Sequence, residues 1–113
     1  MKSKSQFLKG CSQTLVLKVL SERPMYGYEI AQALTKRSEN VFDPGQGTLS
    51  PLLYSLEKKG LIQVSPQTAA QQQGRKRLYY EFTPKGRSSL KEEIKVWFDI
   101  QRGMNLTLEG DHG

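Results

Sequence analysis

Gly47-Thr48-Leu49-Ser50-Pro51-Leu52-Leu53-Tyr54-Ser55-Leu56-Glu57-Lys58-Lys59-Gly60 places leucines at 49, 52, 53 and 56. The spacing i, i+3, i+4, i+7 gathers all four on one face of a helix. Gly60 is suited to close that helix, because glycine adopts the left-handed conformation common after a last turn. Pro51 falls early, as the first or a later residue of the opening turns. The face opposite the leucines carries Thr48, Ser50, Pro51, Tyr54, Ser55 and Lys58. A helix that buries one stripe and leaves a polar one free has the shape needed to enter the major groove of DNA. That groove displays a distinct donor and acceptor pattern for each base pair.

Upstream, two more helices are expected. Between Ser5 and Ser21, Phe7, Cys11 and Leu15 keep a helical spacing, and Val16, Leu17, Val19 and Leu20 make the second half apolar nearly all round. Such a helix is buried from several sides. Pro24 separates it from a second helix, in which Tyr26, Ile30, Ala33 and Leu34 share a face and which ends near Arg37. Asp43-Pro44-Gly45 marks a turn before the leucine helix.

Downstream, Leu61 to Ser65 reads as a short strand. Leu78, Tyr80 and Phe82 alternate with Arg77, Tyr79 and Glu81, which predicts a second strand with one buried and one wet face. The intervening Pro66 to Lys76 has no large apolar residue and is longer than an ordinary hairpin loop. Thr83-Pro84 is an N-cap followed by a first-turn proline, and opens a last helix carrying Leu90, Ile94, Trp97, Phe98, Ile100 and Met104. Residues 105–113 are expected to be a frayed tail. The reading is α+β, mainly α: a winged helix-turn-helix with a C-terminal dimerisation helix. Residues 1–83 would form the DNA-binding domain and 84–104 the dimerisation helix, within a single domain overall.

In this arrangement helices two and three are the helix-turn-helix and the hairpin is the wing. The candidate DNA contacts are Gln46, Thr48, Ser50, Tyr54, Ser55 and Lys58 on the third helix, with Arg75, Lys76 and Arg77 on the wing. Hydroxyls bond phosphates or base edges, and lysine neutralises a phosphate. The middle of the third helix holds no Arg, Asn or Gln, the strongest readers of base edges; Gln46 stands near its start. Three successive cations after Gly74 suit a phosphate clamp or a minor-groove probe.

Three stretches resemble the PadR family of transcriptional regulators. Pro24-Met25-Tyr26-Gly27-Tyr28-Glu29-Ile30 resembles its signature at the start of the second helix. Gly47 to Ile62 resembles its recognition helix and first strand. Gly74-Arg75-Lys76-Arg77-Leu78-Tyr79-Tyr80-Glu81-Phe82-Thr83-Pro84-Lys85-Gly86 resembles its wing and second strand. The likeness runs from about Leu15 to Leu90. It implies a winged helix-turn-helix, a dimer built from terminal helices and, usually, repression of a promoter. The chain departs from the family at Ser50, where tyrosine is common, and at Ser55, where arginine is frequent. With one C-terminal helix it is similar to the short members of the family, among which are the cyanobacterial period-extender clock regulators.

The apolar stripe of the last helix makes Leu90, Ile94, Trp97, Phe98 and Met104, together with Phe7, the candidate dimer contacts. Packing between two copies is the simpler role for Trp97. The sharper alternative is a planar small-molecule effector stacked between Trp97 and its twofold mate. A winged helix that binds protein instead of DNA is a second alternative.

Composition agrees with this reading. The 113 residues carry 17 Lys and Arg against 11 Asp and Glu, a net charge of +6, which favours a polyanionic partner such as double-stranded DNA. The single cysteine, Cys11, precludes an internal disulfide and a cysteine metal cluster. His112 is the only histidine and lies in the tail, so a Ser/His/Asp set or a metal site is not expected. No phosphate-cradling glycine loop is evident, so neither catalysis nor a cofactor is expected. No apolar run approaches the roughly 20 residues that span a bilayer. A soluble, cytoplasmic protein is expected.

Overall fold

The computed structural model describes residues 10–66 and 78–109. Among the described residues four helices and three short strands follow in order: α1 (Ser12–Leu20), β1 (Met25–Tyr26), α2 (Gly27–Arg37), α3 (Gln46–Lys58), β2 (Ile62–Val64), β3 (Tyr79–Phe82) and α4 (Pro84–Glu109). Phe7, the wing cations Arg75, Lys76 and Arg77, and His112 lie outside the described residues, as do the first turns expected for α1.

The core forms where the apolar faces of the first three helices converge. Val16, Leu17, Val19 and Leu20 are all buried, so the second half of α1 is enclosed as its all-round apolar pattern predicts. Ile30 and Leu34 of α2, and Leu49, Leu53 and Leu56 of α3, close on it; Leu52 packs at the margin. Met25, Leu61 and Ile62 extend the core to the sheet, and Leu90 extends it to α4.

Local chemistry sets the ends of these elements. Glu29, in the first turn of α2, accepts the backbone N–H of Tyr26 at 3.2 Å and so serves one of the donors a helix start leaves free. The turn after α2 places Glu39 (φ 54°) and Asn40 (φ 72°) in the left-handed region. It is held by Asn40 N–H donating to the Thr35 carbonyl at 2.8 Å and by the Thr35 hydroxyl donating to Asp43 Oδ1 at 3.0 Å. After α3, Gly60 has φ 78°, with Gly60 N–H bonded to Glu57 O and Leu61 N–H to Leu56 O, both at 3.0 Å. This pair of bonds is a Schellman closure, and the buried Leu56 and Leu61 supply its apolar contact. Pro51 sits in the second turn of α3, well inside the helix, on its exposed side.

The cap of α4 does more than start a helix. Thr83 Oγ1 accepts Gly86 N–H at 3.0 Å and lies 2.7 Å and 3.1 Å from the Gly60 and Leu61 carbonyls to which it donates. Lys85 Nζ donates to the Lys59 carbonyl at 2.9 Å, satisfying the end of α3. The start of α4 is thereby fastened to the turn that leads into the wing.

Two expectations are corrected. The strand 79–82 does not have one wet face: Tyr79 is 6% exposed, while Leu78 is open. The reason is β1, which the sequence reading leaves out. The sheet order is β1-β3-β2, antiparallel throughout, so β3 is central, with Tyr26 opposite Tyr79 and Ile62 opposite Phe82. The Tyr26 ring meets the Tyr79 ring edge-on at 5.2 Å and covers the face expected to be wet. The second correction concerns the tail: α4 continues through Asn105 to Glu109 and does not stop at Met104.

Candidate nucleic-acid interface

Burial of the leucine stripe turns the other side of α3 outward. Gln46, Thr48, Ser50, Tyr54 and Lys58 are exposed and Ser55 is half-buried. Tyr54, the one aromatic ring of the helix, is 64% exposed. Lys58 Nζ stands 5.4 Å from its centroid, one turn on, so the phenol and the ammonium form a single unit. Gln46 behaves differently from the rest. Its Oε1 lies 3.5 Å from where a Cβ on Gly27 would stand, which puts it at the junction between the starts of α2 and α3. The sequence-predicted residues of α3 are thus brought together on one arc, with Gln46 at its edge.

A second row of residues escaped the sequence reading. Tyr28, Gln32 and Lys36 are spaced four apart along α2, all exposed, and Gln32 Nε2 donates to the Tyr28 hydroxyl at 2.8 Å. With Arg23, Thr35 and Asn40 they line a wide open groove of about 850 Å³. Their polar i, i+4, i+8 spacing was the available signal. In a helix-turn-helix the first helix crosses the DNA backbone, where hydroxyl, amide and ammonium groups meet phosphates.

The residues expected at the dimer contact fall into two groups. Leu90 is 7% exposed inside the core of its own chain, and Ile94 packs against that core. Both hold α4 to the domain. Beyond them Trp97, Phe98 and Met104 are exposed, and so are Val96, Ile100, Leu106 and Leu108. Trp97, Ile100, Met104 and Leu108 recur at helical spacing, so the stripe runs to the end of the described helix. The Trp97 ring meets Phe98 edge-on at 5.5 Å and borders a groove of about 490 Å³ between α1 and α4. Cys11, at the start of α1, is half-buried, and that burial raises its thiol pKa above the ordinary value.

Residues 16–92 match the model of the transcriptional regulator PadR-like family. The chain belongs to the PadR-like family. An uncharacterised protein of Lysinibacillus sphaericus is 32% identical over 107 residues, covering 95% of this chain and 96% of its own. Among solved structures, a transcriptional regulator from Clostridium thermocellum superposes with a TM-score of 0.79 at 27% identity, covering 93% of this chain and 96% of the other. A PadR-like transcriptional regulator from Bacillus cereus gives a TM-score of 0.74 at 31% identity, with 94% and 99% covered. These likenesses bear out the winged helix-turn-helix with its C-terminal helix. Membership of the PadR-like family makes the protein a DNA-binding regulator and not an enzyme. Among the described residues no group of His, Cys, Asp or Glu is placed to hold a metal ion, and no helix is long and apolar enough to cross a membrane. The family match ends just inside α4, so the PadR-like core is the helix-turn-helix, the hairpin and the root of the long helix.

Proposed function

We propose that the protein binds promoter DNA in the cytoplasm as a homodimer and represses transcription from it. The observation that carries this is the polar arc of α3, opposite a stripe in which Leu49, Leu53 and Leu56 are buried. Thr48, Ser50, Tyr54 and Ser55 face base edges, and Lys58 and the wing residues Arg75, Lys76 and Arg77 meet phosphates or the minor groove. Gln46 reads at the edge of the same contact. Tyr28, Gln32 and Lys36 add backbone contacts along α2.

Two chains pair through the exposed stripe of α4 around Trp97, Phe98 and Met104, with Phe7 contributing from the N-terminus. The supporting observation is that seven large apolar residues stand exposed on this one helix between Val96 and Leu108. The likeness to clock regulators rests on chain length and adds nothing at the level of residues, so it forms no part of the proposal.

The test is selection of sites from random duplex DNA, followed by binding at several salt concentrations. A selected inverted repeat bound with a steep salt slope supports the reading. Enrichment of nothing, together with salt-insensitive or absent binding, would leave a winged helix used for protein contacts.

One observation favours a ligand-responsive form of the same reading. Trp97 is 40% exposed beside the groove between α1 and α4. A planar aromatic effector stacked there would quench Trp97 fluorescence saturably and alter DNA affinity. Packing alone predicts no saturable quench, and a weaker dimer in Trp97→Ala.

A further inference from the structure

Among the described residues, Glu93 is the last polar residue by which α4 is tied to the DNA-binding domain. Its carboxylate accepts from Thr14 Oγ1 at 2.6 Å, from Ser89 Oγ at 2.6 Å and from Gln13 Nε2. Thr14 and Gln13 lie on α1, whose second half is the centre of the core. Gln13 also reaches the recognition helix: Lys59 Nζ, at the end of α3, donates to its Oε1 at 3.5 Å. The chain Lys59–Gln13–Glu93 therefore connects α3, α1 and α4 through side chains, about a turn before α4 leaves the domain.

The packing of α4 cannot supply the same constraint. Leu90 and Ile94 anchor it by apolar contact, which is non-directional, and the bonds of Thr83 and Lys85 lie in its first turn, well before it leaves the domain. Two hydrogen bonds from α1, donated by Thr14 and Gln13, converge on one carboxylate that Ser89 of α4 itself holds in place, and they fix both the rotation of α4 and its angle to α1. Past Glu93 the helix runs on to Glu109, a further ~24 Å at 1.5 Å per residue. A pivot of about 10° at Glu93 would move its far end by roughly 4 Å, more than the ~3.4 Å step between base pairs.

We propose that Glu93 is the positioning residue that sets the half-site spacing this protein accepts. This rests on the reading of the protein as a DNA-binding dimer joined through α4. In each protomer Glu93 holds the dimer helix at one angle to the recognition helix. The pair of recognition helices then stands at one separation, near one DNA turn or a multiple of it.

The experiment uses the full chain and an inverted repeat selected with it from random duplex DNA. Affinity is measured for that repeat, for versions with one or two base pairs added or removed between half-sites, and for a single half-site. Wild type should prefer one spacing by about tenfold or more over its neighbours, because a rigid dimer rejects a misplaced half-site. Glu93→Gln removes the charge that strengthens all three bonds and turns one accepting oxygen into a donor, which a hydroxyl can meet only by reversing its own bond. The variant should remain dimeric by light scattering, bind the single half-site within about twofold of wild type, and discriminate spacings by no more than about threefold. Thr14→Val and Ser89→Ala, each removing one donor, should lie between, and they carry the test if Glu93→Gln fails to fold.

Retention of the full spacing preference in the folded variants overturns the role given to Glu93. So does an equal loss on half-site and full repeat, which would mark a purely structural residue. A wild-type protein that binds no DNA, or binds as a monomer, overturns the functional reading itself and this inference with it. That outcome is recognised before any variant is compared.

Discussion

Two glycines on the same helix should respond to alanine in opposite directions. A Cβ on Gly86 would stand 2.2 Å from the Leu61 carbonyl oxygen, a backbone atom that cannot rotate away. Gly86→Ala must push the start of α4 off the turn before β2 and loosen the Thr83 bonds to Gly60 and Leu61. We expect a loss of about 2–4 kcal/mol in urea unfolding, in the range of severe overpacking. Gly103, by contrast, has nothing within 4 Å of its Cβ position. Gly103→Ala should raise stability by up to ~1 kcal/mol through helix propensity alone. Equal effects would mean that neither site is governed by its surroundings. At Cys11 burial raises the thiol pKa above its ordinary 9.0. The folded state then holds the proton more tightly than the unfolded chain. The associated stability is fully present below the unfolded pKa and is lost as pH rises through the folded one. Alkylation by iodoacetamide under native conditions should therefore be slow, with a midpoint above pH 9; rapid labelling at pH 7.5 would contradict the burial. Sequence showed the Thr83-Pro84 cap, because a cap is a local pattern. It could not show the need for glycine at 86, because the obstructing carbonyl belongs to a residue 25 positions away.

At the scale of elements, α3 and the wing should separate by what they read. The arc of Thr48, Ser50 and Tyr54 faces outward together, and Lys58 is held over the Tyr54 ring, so changes there should alter preference among operator variants. Arg75→Ala with Lys76→Ala should instead weaken specific and random DNA alike. It should also flatten the salt dependence by about 0.9 for each phosphate that is no longer neutralised. The two sets are measured on one pair of DNAs across a salt series. A wing variant with an intact salt slope and altered sequence preference would reverse the assignment. The helices were legible because each carries its own periodicity: the four leucines of α3 decide the element and the face. Strand β1 was not legible. Two residues give no period, and Met25–Tyr26 become a strand only because β3 arrives beside them from far along the chain. The burial of Tyr79 was misread for the same reason. Leu90 was legible as apolar, but its partner was not; periodicity says that a residue is buried, not whether its own chain or another buries it. The α2 row of Tyr28, Gln32 and Lys36 was overlooked because polar spacing on a helix is the ordinary look of a wet surface.

The whole molecule is elongated, 63 × 30 × 21 Å, because α4 runs on past the domain beyond Glu93. An isolated helix end in water is marginal unless its apolar face is covered. The overhang carries Trp97, Ile100, Met104 and Leu108 on one side, with Leu108 as much as 71% exposed in the single chain. Ile100 and Met104 lie outside the core cluster, so charging them should leave the winged domain intact. Ile100→Glu with Met104→Glu should therefore give a folded monomer by light scattering at micromolar concentration, where the wild type should be a dimer. Because a dimer is stabilised by mass action, the wild-type unfolding temperature should rise with protein concentration, and that of the variant should not. On DNA the variant should hold a single half-site as well as the wild type does. It should lose the gain from two linked half-sites, about 10²- to 10⁴-fold when the geometry allows both to engage. If the charged variant stays dimeric, the pairing surface is not this stripe. If it becomes monomeric and still binds the full repeat like the wild type, each domain acts alone and α4 has no part in operator recognition.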